Sequence, residues 1–218
     1  MRLSKKSILL FQRKIFRWCK KNKRDLPWRH THDPYAILVS EIMLQQTQVF
    51  RVIPKYREFI AMYPTVIDLS KASVADLLQL WKGMGYNRRA LYLKQTAQTI
   101  VHQYNGIFPI DETKLRGLSG VGTYTASAIQ VFAFKKDVAM VDTNIRKIIT
   151  HYFLHDKLQK ESIILDIATQ LVPHRKSWAW HQALMDYGAL VLSKRKSVHR
   201  IVKKTSIPFA LSDRFFRG

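Results

Sequence analysis

Apolar and basic residues interleave at helical spacing from the first turns of the chain. Ile8, Phe11, Ile15 and Trp18 recur every three or four positions, with Arg13, Lys14, Arg17 and Lys20 between them, which predicts an amphipathic helix. Asp33-Pro34 predicts the start of a second helix, Asp as N-cap and Pro in the first turn, with apolar positions running from Ile37 and Leu38 through Ile42 to Val49. Ser73-Val74-Ala75-Asp76 resembles a capping box ahead of Leu77, Leu78 and Leu80, and Gly83 and Gly85 end that helix. Residues 88–104 form another, broken by Asn105-Gly106 and Pro109. Residues 124–134 are small and apolar, as in a buried helix, and 161–172 and 178–192 give two more. No alternating run is long enough for a strand, and Val138–Val141 is apolar but too short to decide. The pattern predicts an all-α protein without repeats or low-complexity linkers.

Composition adds a polyanionic partner. Of 218 residues, 47% are hydrophobic, an ordinary globular value. Lys and Arg total 37 against 15 Asp and Glu, a formal net charge of +22, which points first to nucleic acid and second to an acidic membrane surface. The basic start at Met1–Lys6 lacks the apolar core and cleavage site of a signal peptide, and no apolar run approaches a membrane span. The single cysteine, Cys19, reads as a small buried apolar residue and excludes a disulfide, a thiolate zinc cluster or a four-cysteine iron–sulfur site within this sequence. Between Asp186 and Asp213 lie Lys194, Arg195, Lys196, Arg200, Lys203 and Lys204, either a solvated tail or a phosphate-backbone contact surface.

Three stretches carry candidate chemistry. Leu115–Ala126 holds Gly117, Gly120 and Gly122 just ahead of a helix, which makes a tight turn between two helices. Its amides and the next helix N-terminus suit a phosphate, although a plain turn explains the glycines equally well. In Met140–Arg146, Asp142 precedes a helix. It is either a plain N-cap, held ionised by amides and the helix dipole, or a carboxylate that stabilises a cation. Glu41, one of four glutamates, sits among Val39, Ile42, Met43 and Leu44, which argues against a fully wet position. Partial burial would let it hold a proton near neutral pH. A protonated Glu with an ionised Asp is a common division of labour for cleaving a glycosidic bond.

Taken in order, six phrases resemble the helix-hairpin-helix base-excision DNA glycosylases, and more narrowly their adenine-removing branch. They are Leu26–Arg29 with Asp33–Tyr35, Ser40–Val49, Trp81–Tyr86, the hairpin at 118–129, Val141–Asn144 and Leu184–Ala189. The resemblance implies two helical lobes with the active site in the cleft between them. A six-helix lobe over 26–136 would hold the hairpin, and residues 1–25 with 137–218 would form the second lobe. It implies Glu41 as the acid that protonates adenine N7, Asp142 as the carboxylate facing the oxocarbenium sugar, and Asn144 as its support. Gln45 lies in the same phrase as Gln46, and Gln46 and Tyr86 match residues that wedge into the duplex. Amides at Gly120, Gly122 and Tyr124, beside Thr123, would hold a phosphate. Carbonyls of Arg116, Leu118 and Val121 would bind K+ or Na+. Lyase-competent relatives carry a lysine where this chain has Tyr124, so a monofunctional glycosylase is expected.

Two departures change the picture. The family's iron–sulfur loop is replaced after Leu192 by the basic tail, so no [4Fe–4S] cluster is expected and the second lobe is held by packing or by Ile207, Phe209, Phe215 and Phe216. The resemblance also implies a C-terminal domain that reads oxidised guanine, for which these 218 residues hold no counterpart, so no preference for oxidised guanine opposite adenine is expected from them. Asn87 and Ser119 stand where tyrosine and proline are common. A sister branch removing thymine or uracil mispaired with guanine shares Tyr124 and the Val-Asp-x-Asn phrase, while Gln45-Gln46 favours adenine. Outside catalysis, a lesion-binding protein and a basic RNA-associated helical protein compete. The expected state is a cytoplasmic monomer on mismatched double-stranded DNA, without membrane contact and with no cofactor beyond the alkali cation.

Overall fold

The computed structural model describes residues 2–192. The basic run from Lys194 and the aromatic tail positions lie outside the described residues. Among those described there are eleven α-helices and no strands: α1 (Lys5–Asn22), α2 (Pro34–Leu44), α3 (Val49–Met62), α4 (Val66–Lys71), α5 (Val74–Trp81), α6 (Arg88–Tyr104), α7 (Glu112–Arg116), α8 (Thr123–Phe132), α9 (Thr143–Phe153), α10 (Glu161–Leu171) and α11 (Ser177–Tyr187). A wider π-helical turn, Gly188–Leu192, follows α11. No helix among the described residues is long and apolar enough to cross a membrane.

The chain divides into two compact units. The hairpin unit is Arg24–Met140 with Val172–Ala179; the terminal unit is α1, Val141–Leu171 and the described residues from Trp180 onward. The hairpin unit packs α2 against α3 and α8, and α4 and α5 against α6. Leu38, Val39, Val52, Phe59, Leu77, Trp81, Leu93 and Ile129 are its buried centre. In α2 every residue from Tyr35 to Met43 is buried, so this helix has no wet face. Asp33 caps it as the sequence predicts, accepting from the amides of Tyr35 and Ala36.

The terminal unit is tied by rings. Phe11 on α1 lies 5.2 Å from Tyr152, 5.0 Å from Phe153 and 5.9 Å from Trp180. Trp18 meets Tyr187 edge-on at 5.1 Å, and the hydroxyls of Tyr152 and Tyr187 share a 2.5 Å hydrogen bond. Packed aromatic pairs add stabilisation beyond their area burial.

Two expected helices differ in extent. The helix expected from Asp33 to Val49 stops at Leu44, and the chain restarts at Val49 after a four-residue loop. Gln46 there takes φ +53°, a left-handed value that interrupts a helix. The loop contains neither Gly nor Pro, so no local signal marks it. Helices α3 and α4 likewise carry no expectation from the pattern. The stretch expected as helix over 178–192 is regular only to Tyr187 and then widens at Gly188, where the backbone meets α9.

Candidate active site

Glu41 sits in the last turn of α2 and is 6% exposed, which settles the choice between a wet and a dry glutamate in favour of the dry one. It is held there because α2 is apolar all round and buried. Directly after α2 the chain leaves the core: Gln45 and Gln46 are exposed, and so is Phe50 in the first turn of α3 at 66%. Tyr86, in the turn before α6, is 66% exposed and has φ +48°. Both residues expected to wedge into a duplex are thus solvent-facing and left-handed.

Sequence reasoning missed the residue between them. Arg89 on α6 is 7% exposed. Its Nη1 donates to the carbonyls of Ile42 (3.0 Å), Met43 (3.0 Å) and Gln45 (2.6 Å). Its Nη2 donates to Thr47 Oγ1 (3.1 Å) and the carbonyls of Met84 (2.8 Å) and Gly85 (3.0 Å). One basic residue among 37 carries no signal in the sequence that could single it out.

The hairpin is α7, the turn through Gly117–Gly122, and α8. Gly120 has φ +76°, and a Cβ there would lie 3.0 Å from Cβ and 3.2 Å from Cδ2 of Tyr92 on α6. Glycine is needed on both counts. Thr96, also on α6, donates its hydroxyl to the Ser119 carbonyl at 2.8 Å and fixes the turn from below. Gly122 is the N-cap of α8 and offers no side chain to fill that helix end. Gly122 and Thr123 are exposed, Gly120 and Tyr124 half-buried. Of the three carbonyls considered for a cation, that of Leu118 also accepts the Val121 amide at 3.1 Å; Arg116 and Val121 flank it. Among the described residues no cluster of three or more His, Cys, Asp or Glu side chains could hold a metal.

Asp142 lies in the terminal unit as the N-cap of α9. Oδ1 accepts the Ile145 amide at 2.6 Å and Oδ2 accepts Asn144 Nδ2 at 3.1 Å. Burial pushes this carboxyl above its ordinary value; the hydrogen bonds from Ile145 and Asn144 and the charge of Lys147 pull it down without cancelling the shift. The capping amides do favour the ionised form, as the sequence reading expects, but desolvation opposes them and is the larger effect. Gly188 packs on the same first turn of α9. A Cβ on Gly188 would lie 2.6 Å from Asn144 Cβ and 3.1 Å from its carbonyl oxygen, so only glycine lets this backbone close over the first turn of α9.

A family described as HhH-GPD superfamily base excision DNA repair protein matches residues 39–174, a span containing Glu41, the hairpin and Asp142. An adenine DNA glycosylase of Mycobacterium tuberculosis is 38% identical over 187 residues, 83% of this chain and 61% of that protein. This chain therefore spans less than two thirds of that relative's length. A thymine/uracil-DNA glycosylase of Methanothermobacter thermautotrophicus is 35% identical over 179 residues, 80% of this chain and 81% of that protein. The solved structure of a thermostable thymine-DNA glycosylase superposes with a TM-score of 0.81 at 34% identity, over 86% of this chain and 88% of the other.

Proposed function

The chain belongs to the HhH-GPD superfamily of base excision DNA repair proteins, and from that premise we propose that it is a DNA glycosylase. It hydrolyses the N-glycosidic bond of adenine mispaired with guanine or 8-oxoguanine in double-stranded DNA, without a lyase step. The observation that carries this reading is the contrast between its two carboxyls: Glu41, 6% exposed inside an apolar helix, and Asp142, half-buried and hydrogen-bonded at both oxygens. The similarity to the adenine glycosylase of M. tuberculosis supports the choice of base.

On this reading Glu41 gives its proton to N7 of the flipped adenine. The C1′–N9 bond then breaks with its electron pair leaving on the base. The oxocarbenium charge left on the sugar is met by the Asp142 carboxylate, oriented by Asn144 and the Ile145 amide. Water adds its oxygen to C1′ and gives its proton to the Glu41 carboxylate, which leaves an abasic site, free adenine and a restored acid. Gln45, Gln46 and Tyr86 fill and probe the gap in the duplex. Amides of Gly120, Gly122 and Tyr124, with Thr123 beside them, hold a backbone phosphate at the N-terminus of α8. Arg116, Leu118 and Val121 supply only neutral carbonyl oxygens, a donor set suited to K+ or Na+. Such an ion would neutralise part of the phosphate charge. Tyr124 lacks the amine needed to trap the sugar as a Schiff base, so the strand stays intact after base release.

A second reading has its own support. This chain covers 81% of the thymine/uracil glycosylase but 61% of the adenine enzyme, so release of thymine or uracil opposite guanine is the alternative. Single-turnover assays on duplexes carrying A opposite G, A opposite 8-oxoguanine, T opposite G and U opposite G decide between them. Alkali-dependent breakage at adenine is expected. Breakage only at T or U moves the chain to the other branch, and binding without breakage on any duplex makes it a lesion-binding protein.

A further inference from the structure

Arg89 belongs to none of the parts given a role above, yet it touches several of them. Its six hydrogen bonds go to two separate segments, the C-terminal end of α2 with the following loop and the turn before α6. The last carbonyls of a helix have no partner within it. In α2 those of Ile42 and Met43 are taken by Nη1, so a buried guanidinium replaces the usual glycine stop. The positive charge also lies at the negative end of the helix dipole. The same nitrogen holds the Gln45 carbonyl, and Nη2 holds Thr47, immediately before and after Gln46. The other arm of Nη2 holds Met84 and Gly85, immediately before Tyr86. The guanidinium carbon lies 5.4 Å from the Trp81 ring and 5.7 Å from the Tyr86 ring.

Gln46 and Tyr86 both hold left-handed backbone, at φ +53° and +48°. Such conformations persist in non-glycine residues only where the surroundings over-determine them. Trp81 Nε1 donates to the Gly85 carbonyl at 3.1 Å and Thr47 Oγ1 to the Gln45 carbonyl at 3.2 Å, each within one turn; the Arg89 side chain holds both turns at once. All six acceptors are neutral oxygens, and burying a charge without a carboxylate among its partners is costly. A methionine would fill the same space, but it would release both loops. We infer that Arg89 is the positioning residue that sets the register of the two wedge residues, Gln46 and Tyr86, relative to each other and to the helix bearing Glu41. The inference rests on the glycosylase reading for the word wedge, and on the geometry alone for the clamp.

Arg89→Lys tests the fork rather than the charge, because an ammonium has three donors and no planar geometry to span two segments. Mismatched duplexes with 2-aminopurine beside the target base report flipping through a fluorescence rise that does not depend on catalysis. Expected for Arg89→Lys is a cooperative thermal transition above the assay temperature, affinity for duplex DNA within about threefold, and a flipping signal and single-turnover base release each reduced about tenfold or more. Thr47→Val, which removes one acceptor, should move the same readouts in the same direction by less. A merely structural role would lower the melting temperature and the active fraction but leave the rate per active molecule unchanged. Unchanged flipping and unchanged mismatch-to-matched ratio in a folded Arg89→Lys protein would overturn the inference. Absence of base release by the wild type, with flipping intact and lost in Arg89→Lys, would remove the glycosylase reading and keep the clamp. Absence of any fluorescence rise with the wild type would remove the clamp's role in flipping.

Discussion

At the scale of single residues, Asp142 caps a helix and also carries the charge that the proposed reaction needs, and burial works against that charge. Its pKa is raised in the folded protein, with burial the main cause. A raised carboxyl favours the fold below its unfolded value, and that contribution is lost as pH rises through the folded value. At neutral pH the ionised side chain is therefore a net burden on stability. Asn also serves as an N-cap, and the Asn144 amide can turn its oxygen toward a new amide at 142. Asp142→Asn is expected to melt no lower than the wild type at pH 7 while losing turnover. Calorimetry beside a single-turnover assay checks both; a fall in melting temperature would mean that the charge itself holds the cap. The wild-type rate should fall as pH drops through a value above the ordinary aspartate 3.8. Gly188 gives a second prediction. Gly188→Ala forces Asn144 away from its backbone, and overpacking of this kind costs about 1–3 kcal/mol. The displacement reaches Asp142 two residues away, so base release should fall by up to about 100-fold. An unchanged rate would show that α9 can shift without moving its carboxylate.

At the scale of elements, the hairpin depends on α6 as much as on its own glycines. Tyr92 closes against Gly120 and Thr96 holds the Ser119 carbonyl, so the turn is shaped from outside. Gly120→Ala meets both a left-handed φ of +76° and a ring 3.0 Å away. The conformation alone costs about 1–2 kcal/mol. The expected outcome is a lower melting temperature together with weaker affinity for any duplex, matched or mismatched, measured by fluorescence anisotropy. Loss of stability with full affinity would separate the hairpin from the phosphate.

At the scale of the whole molecule, a net charge of +22 makes association with DNA an ionic process. With roughly six phosphates contacted, the logarithm of the affinity should fall against the logarithm of salt concentration with a slope of about −5. A slope near zero would remove backbone contact as the source of binding. The cohesion of the terminal unit is visible in its ring packing. Phe11, Trp18, Tyr152, Phe153, Trp180 and Tyr187 pack ring on ring across α1, α9 and α11.

The helical class, the amphipathic pattern of α1, the starts of α2, α5, α6 and α8, and the phrases around Glu41, the hairpin and Asp142 were legible in the sequence because each is written in adjacent residues. Caps, glycines and three-to-four spacing are local chemistry. The break after Leu44 was not legible, since Gln45–Gln48 contains no breaker and the loop's Gln45 carbonyl is held by Arg89, more than forty residues away. The same holds for Gly188, which lies inside the stretch expected as helix until α9 is found 2.6 Å from its missing Cβ. Even the pKa of Asp142 reflects packing: hydrogen bonds from its chain neighbours lower it, and burial raises it by more. Sequence fixes what a residue can do through its own neighbours. Tertiary structure decides what a buried group must give up, because desolvation and close approach depend on what arrives from elsewhere in the chain.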